Sequence, residues 1–281
     1  MIYREKEKQS DSLFKLQQIM IGAIIGDIVG SRFEFGEAPK RDFELFTDEC
    51  SFTDDTVCTI AIADAVLNRR TYRDALLDWC HRYPNPMGGG YGSMFLQWLN
   101  SPDHEPMNSY GNGAAMRVSP IGWLFTEWED VVAEARKSAE PTHNHPEGIK
   151  GAECIAEVIH WLKYMRFTKS EVERKVKKFY GYELPRLRDI MKLGAEGHFD
   201  STCQETVPMA LRCFINSNSF EDTIRIAVLC DGDTDTKACI AGAVAEAYYQ
   251  IPYELIDRAM VYLPTDMLNI LDQFYSDKHI I

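Results

Sequence analysis

A chain of 281 residues with 45 % apolar content can bury one large core, or two at most, and its 26 % of charged residues is ordinary for a protein bathed in water. Lys and Arg number 30 against 43 Asp and Glu, a net charge of −13 that disfavours a nucleic-acid target and leaves room only for a local basic patch. The eight cysteines form no CxxC pair, several lie in apolar runs, and the charged N-terminus has no apolar signal core, so a reduced, cytoplasmic protein without a membrane span is expected.

Residues 1–18 read as a loose lead-in and 19–281 as one helical domain. The run 19–30, IMIGAIIGDIVG, is too short to cross a bilayer and is interrupted by Asp27. Ile21, Ile24, Ile25, Ile28 and Val29 recur near helical spacing, which predicts a buried helix. Gly22, Gly26 and Gly30 fall four apart on one side, a face that a second helix can approach closely. A carboxylate inside such a helix needs a partner. Asp27 either bonds to nearby backbone or a helix end, or supports an acidic site. Glu34 lies between Phe33 and Phe35. It is either an exposed loop acid or an acid or base whose apolar neighbours raise its pKa.

Thr53-Asp54-Asp55-Thr56 precedes a helix predicted over 57–67. A second helix over 71–81 has Thr71 as its cap and Asp74 in its first turn, and Pro84 and Pro86 end it. The glycine-dense stretch 87–92, with Gly89, Tyr91 and Gly92, is a flexible loop or a ligand-contacting one. A short helix over 93–99 follows. Ser109-Tyr110-Gly111-Asn112-Gly113 is a permissive turn before a helix predicted over 114–125, and its backbone N–H groups can face a phosphate, although no P-loop pattern is present. Arg117, in an apolar run, is expected to form an internal ion pair.

Helices are predicted over 130–140 and 148–165, separated by a turn with His143 and His145. That HxH spacing has no third nitrogen or sulfur ligand nearby, which argues against zinc. Either histidine can touch an anionic ligand or sit in a solvated loop. Residues 168–180 read as a charged, solvated helix and 183–198 as an irregular cap. Further helices are expected over 206–214 and 224–230. Gly232-Asp233-Thr234-Asp235-Thr236 then leads into an alanine-rich helix over 238–249, and one or two amphipathic helices close the chain. No stretch shows clean strand alternation, so the fold class is all-α.

The two acidic runs share one design: carboxylates and threonine hydroxyls immediately before an apolar helix. Such oxygens are hard ligands suited to Mg²⁺, Ca²⁺ or Mn²⁺. They can also cap helices, but one residue suffices for a cap, and adjacent acids repel each other unless a cation lies between them.

Four windows in order, GAIIGDIVGSRFEF, FTDDT, SYGNGAAMRVSPIG and GDTDT, make the chain resemble the ADP-ribosylglycohydrolase family, also called the dinitrogenase-reductase-activating glycohydrolase family, over residues 20–250. The resemblance implies a compact, single-domain orthogonal bundle of helices with a pair of divalent ions, Mg²⁺ or Mn²⁺, at the mouth of a cleft for ADP-ribose. Its implied metal ligands are Thr53, Asp54, Asp55, Asp233, Asp235 and Thr236. Glu34 matches a mobile glutamate near the metals, and Glu34, Asp54, Asp55 and Asp235 are the implied catalytic acids. Ser109, Tyr110, Gly111, Asn112 and Gly113 match a loop that cradles phosphates and ribose, His143 matches a ligand-contacting histidine, and Gly89, Tyr91 and Gly92 fall where relatives line the adenosine end. The implied activity releases ADP-ribose from an ADP-ribosylated protein or small molecule. The alternatives are a hydrolase of an ADP-ribose ester or other ribosyl metabolite, and a catalytically silent ADP-ribose-binding protein. The leaving group stays open among arginine, serine, a nucleic-acid base or phosphate, and an ester. Two positions depart from the family pattern, Asp231 and Lys237, and an ion pair between them is expected.

Overall fold

The computed structural model describes residues 20–36, 39–86 and 90–276. The lead-in expected at 1–18 and Gly89 lie outside the described residues. Among the described residues there is no strand, only an isolated bridge between Gly111 and Thr202, so the all-helical expectation holds. No helix among them is long and apolar enough to cross a membrane.

Two helices form the spine. Helix α1, Ile21–Gly30, is buried on every side, as a helix that is apolar all round must be. Helix α13, Thr234–Glu246, is buried just as completely and packs along it. The glycine face read from the sequence is the contact. A Cβ at Gly22 would stand 2.5 Å from the Gly242 carbonyl oxygen, one at Gly26 2.0 Å from that of Ala238, and one at Gly30 2.6 Å from the Asp235 Cα. The far end of α13 closes the start of α1: the Glu246 carboxylate accepts the Ile21 N–H at 3.3 Å and the Gly22 N–H at 2.7 Å. These are orphan donors of the first helical turn.

The remaining helices wrap this pair. Helices α2 (Asp54–Leu67) and α3 (Tyr72–Arg82) form one hairpin, and α3 carries the predicted Thr71 cap, which accepts from the Asp74 N–H at 3.0 Å. Helix α4 covers Ser93–Leu99. The single helix expected over 114–125 is two, α5 (Gly113–Met116) and α6 (Ser119–Leu124). Pro120 in the first turn of α6 has no N–H to bond the Met116 carbonyl, so the helix restarts there. Helices α7 (Trp128–Ala139) and α8 (Pro146–Tyr164) pack together, and α8 also supports α5 and α6. Helix α9, Lys169–Tyr180, buries only Val172 and Val176 and begins in a capping box of Thr168 and Glu171, which fits the solvated flank read from its charges.

Residues 183–198 are not wholly irregular, because α10 spans Leu187–Ala195 and buries Ile190 and Gly194. Helix α11, Cys203–Asn216, starts three residues before the predicted span and carries Pro208 inside. Helix α12, Phe220–Leu229, runs to the second acidic loop and packs with α11 against α13. Helices α14 (Tyr253–Met260) and α15 (Thr265–Ser276) are the amphipathic pair expected at the end of the chain. All eight cysteines are buried and free.

Candidate active site

Asp27 serves both roles read for it. It lies on α1 with no exposure, and its carboxylate takes four hydrogen bonds from the start of the first acidic helix. Thr53 donates its N–H at 2.9 Å and its hydroxyl at 2.7 Å, while Thr56 donates its N–H at 3.1 Å and its hydroxyl in a shorter contact. Burial pushes the Asp27 carboxyl up to about 6 against these bonds. The clamp fixes the point at which the chain enters α2. Thr53 then caps α2 by accepting the Asp55 N–H at 3.2 Å. Its hydroxyl is spent between Asp27 and this cap, and Thr53 does not line the cavity described below.

The second acidic loop is tied to the same helix. Gly232 adopts a positive φ of 70°, which suits glycine, and turns the chain into α13. The Thr234 hydroxyl donates to the Gly30 carbonyl at 2.9 Å. The Asn112 amide donates to Asp233 Oδ2 at 2.7 Å and to Thr206 Oγ1 at 3.0 Å. Thr236 Oγ1 donates to Asp55 Oδ2 at 3.2 Å, a bond that joins the two acidic loops across 181 positions of sequence. The expected ion pair of Lys237 with Asp231 is a backbone contact instead. The ammonium donates to the Asp231 and Cys230 carbonyls, and the Asp231 carboxylate accepts the Gly232 N–H at 2.8 Å.

Both loops open on one cavity of about 590 Å³. Glu34, Asp54, Asp55, Asp233, Asp235 and Thr236 line it, and oxygens of Glu34, Asp233 and Asp235 lie within 4.8 Å of one another. Burial, with the Asp233 charge second, pushes the Glu34 carboxyl up to about 7. Asp54, Asp55 and Asp235 are held well above the usual carboxylate range, chiefly by burial and then by neighbouring aspartates, Asp27 for the first two and Asp233 for the third. Asp55 Oδ1 is buried with no hydrogen-bond partner. A crowded set of buried carboxylates with an unsatisfied oxygen is a place for a positive charge, and its all-oxygen donor set fits a hard divalent cation.

The turn from Ser109 to Gly113 also borders the cavity, and all of its residues line it. Two of the N–H groups expected to face a phosphate are spent internally: Gly111 donates to Ser109 Oγ at 3.2 Å and Asn112 to the Ser201 carbonyl at 2.8 Å. Asn112 is thus a strut between the turn and the second acidic loop. Tyr110 is half exposed, with its ring edge-on to His145 at 5.3 Å. The two histidines part company. His145 caps α8 through its Nδ1, which accepts the Glu147 N–H at 3.1 Å. His143 is buried and lines the cavity.

Arg117 makes no ion pair among the described residues, contrary to the expectation from sequence. Its Nη2 donates to the Ser138 carbonyl at 2.9 Å and to Thr142 Oγ1 at 2.8 Å, while Nε and Nη1 have no partner. Thr142 Oγ1 also lies 2.7 Å from His143 Nδ1 and hydrogen-bonds to it. Burial and the nearby Arg117 charge hold the His143 ring well below its usual pKa. The ring is thereby held neutral.

Gly92 lines the cavity, but Tyr91 does not. The Tyr91 ring stacks on Phe95 at 5.3 Å and its hydroxyl donates to the Tyr83 carbonyl at 2.8 Å. Sequence reasoning missed Phe35, Phe95, Met107, Phe199, Ser201 and Thr202, all of which line the cavity. Phe35 had the one usable signal, its place directly after Glu34.

The chain is similar to several known proteins over most of its length. The chain is 26 % identical to the human ADP-ribosylhydrolase ARH3 over 92 % of both chains. It is 27 % identical to the uncharacterized protein YegU of Escherichia coli K12, over 85 % of this chain and 83 % of that one. It is 24 % identical to the ADP-ribosylarginine hydrolase Tri1 of Pseudomonas putida, over 85 % and 72 %. A solved structure described as an ADP-ribosylglycohydrolase-related protein complex matches 93 % of this chain and 97 % of its own with a TM-score of 0.67 at 23 % identity, a likeness of fold. The ADP-ribosylglycohydrolase family model matches residues 9–278, nearly the whole chain, and with acidic loops and helical order alike in place, the protein belongs to the ADP-ribosylglycohydrolase family.

Proposed function

We propose that the protein is a divalent-cation-dependent hydrolase that cleaves the C1″ glycosidic bond of an ADP-ribosylated protein or small molecule and releases ADP-ribose. The observation that carries this reading is the meeting of two distant acidic loops, bonded through Thr236 and Asp55, with Glu34 at the edge of one cavity. The relatives named as ADP-ribosyl hydrolases support the substrate class.

Asp54, Asp55, Asp233, Asp235 and Thr236 would hold the cations, a pair of Mg²⁺ or Mn²⁺ ions, and Thr53 would act from behind as the cap that sets the loop. When bound, such ions supply Lewis-acid stabilisation and orient ribose hydroxyls. The chain supplies the rest. The carboxylates favour the positive charge that develops on the ribose as the C1″ bond stretches. Glu34, only partly buried beside Asp233 and Asp235, reaches solvent and takes the proton of the attacking water. Water oxygen bonds to C1″, the electron pair of the broken bond goes to the leaving atom, and the proton follows it. His143, neutral and lining the cavity, offers its ring as a hydrogen-bond partner to the ligand. Tyr110, propped on His145, offers a ring face to the nucleobase.

The test is a panel of ADP-ribosylated substrates, linked through arginine, serine, phosphate or an ester, incubated with chelator-treated protein and with added Mg²⁺ or Mn²⁺, scoring free ADP-ribose. Release should require the cation, and Asp54→Ala and Asp235→Ala should each lose it by at least about a hundredfold. Wild-type turnover in either variant would overturn the assignment, and tight ADP-ribose binding without turnover of any substrate would identify a silent binding protein.

A further inference from the structure

A second cavity, of about 360 Å³, lies among helices α7, α8 and α9, and none of its lining residues lines the acidic one. Its walls are aromatic. Trp128 opens α7, Trp161 lies on α8, and Phe179 and Tyr180 end α9. Phe179 is 57 % exposed and Trp128 47 %, whereas Trp161 is buried. Large rings left partly in water around one hollow offer apolar surface that a ligand can cover.

The same cavity holds two opposite charges that do not pair. Glu157 lies one turn before Trp161 on α8 and is buried. Its two carboxylate oxygens accept from the Trp128 indole N–H and the Tyr180 hydroxyl. Both donors are neutral, so the carboxylate is hydrogen-bonded but its charge is not balanced. Two basic residues of the flanking helices pair elsewhere, Arg136 with Glu153 at 2.7 Å and Lys177 with Glu183 at 2.8 Å. Lys175 lies one turn before Phe179 on α9 and has no ion pair among the described residues. Its ammonium stands over three rings instead, 4.7 Å from the centroid of Phe167, 5.3 Å from Phe179 and 5.6 Å from Trp161. The ring set therefore attracts cations, and one side of it is already taken.

We propose that this cavity binds a small zwitterion with a trimethylammonium head, the head against Glu157 and the rings and the anionic end at Lys175. The site is separate from the acidic cavity and does not depend on the reaction assigned there. Its own two charges sum to zero but stand apart, which a ligand carrying separated charges of both signs complements. A simple cation would balance Glu157 and be repelled by Lys175. The head is quaternary because both Glu157 oxygens already hold a hydrogen bond. A primary ammonium brings three N–H donors that need acceptors, whereas a trimethylammonium needs only negative charge and ring faces. The volume lies near the lower end of the roughly 300–1,000 Å³ usual for ligand sites, which suits a small molecule. A carboxylate and a phosphate can each meet the Lys175 ammonium, so glycine betaine and phosphocholine are the two probes.

The test is calorimetric titration of the full chain with glycine betaine, phosphocholine, choline, and the isostere of phosphocholine that has carbon in place of nitrogen. At least one zwitterion should bind saturably, about tenfold more tightly than choline and than the carbon isostere. Phe179→Ala should weaken that binding about tenfold, and Lys175→Gln should abolish the preference over choline. Glu157→Gln should weaken it as well. Glu157 is buried, so a melting curve accompanies that variant, and the Phe179 and Lys175 variants, both at partly exposed positions, decide the matter if it does not fold. Binding should persist in Asp54→Ala, which alters only the acidic cavity. Loss of binding in Asp54→Ala would put the ligand in the acidic cavity and overturn the proposal. So would failure of both zwitterions to bind, equal binding of the carbon isostere, or an affinity indifferent to Phe179 and Lys175.

Discussion

Replacing Gly26 by Ala adds one methyl group at the closest point between α1 and α13. The added Cβ would stand 2.0 Å from the Ala238 carbonyl oxygen, 2.3 Å from its carbon and 2.7 Å from the Cys239 nitrogen. Every one of these atoms is backbone of a fully buried helix, so no side chain can turn away. Reaching ordinary contact, which begins near 3.4 Å, requires the helices to part by 3.4 − 2.0 = 1.4 Å. A gap of that size forfeits much of the dispersion along the interface, and overpacking of this kind costs about 3 kcal/mol. Alanine gains about 1 kcal/mol in helix propensity, which leaves a net loss of about 2 kcal/mol. For a domain of this size the melting temperature should fall by roughly 4–8 °C. The displaced α13 carries Asp235 and Thr236, so the loss should extend to cation binding. Thermal melts followed by circular dichroism read the first effect and calorimetric titration with Mn²⁺ reads the second. Gly92→Ala is the control, because nothing lies within 4 Å of its Cβ position. A Gly26→Ala protein that melts at or above the wild-type temperature would refute the close packing of these helices.

The buried Glu246 carboxyl is pushed up to about 7 by burial, against the N–H groups of Gly22 and Ile21 and the charge of Lys163. Its folded value lies above its unfolded one, so its contribution to stability is complete below the ordinary carboxylate range and is lost as pH rises through about 7. The loss is on the order of 3 kcal/mol by pH 8, and Glu246→Gln should flatten denaturation midpoints measured between pH 5 and 8. An unaltered pH slope in that variant would place the titrating group elsewhere. Asp54, Asp55 and Asp235 are also held protonated to higher pH than free carboxylates, so an added divalent cation competes with protons for them. The melting temperature of chelator-treated protein should rise with Mg²⁺ or Mn²⁺, and rise further at pH 8 than at pH 6. An equal rise at both values would mean that the cation binds elsewhere.

The parts of the molecule legible in the sequence are those whose physics is local. The glycines of α1 announce a close helix partner through their spacing, and the Thr71 cap and the breaks at Pro84 and Pro86 are short-range chemistry. Both acidic loops could be found in the sequence because carboxylates and threonines crowd the start of two alanine-rich helices, and the fold brings the two together at one cavity. Two errors of range came from tertiary packing. Residues 187–195 show only a narrow buried stripe, Ile190 and Gly194, too thin a pattern to mark a helix. Residues 114–125 look continuous until Pro120 is asked for a hydrogen bond it cannot make. Arg117 misled because an apolar run implies a counter-ion, whereas the fold satisfies part of its guanidinium with Ser138 and Thr142 on separate segments. Phe199 was invisible because only the fold brings its segment to the cavity that Glu34 and Phe35 also line, and no spacing rule connects positions so far apart.

No proposed ligand precedes Glu34, and yet the dimensions of the site are set before it. Asp27 holds one acidic loop, Gly30 receives the other, and the two attachment points stand within a single turn of α1. The first helix therefore acts as a ruler for a centre that it does not enter. A graft of this chemistry onto another scaffold would fail if it carried over only the acids, because the distance between them is stored in the spacing of Asp27 and Gly30 along an apolar rod.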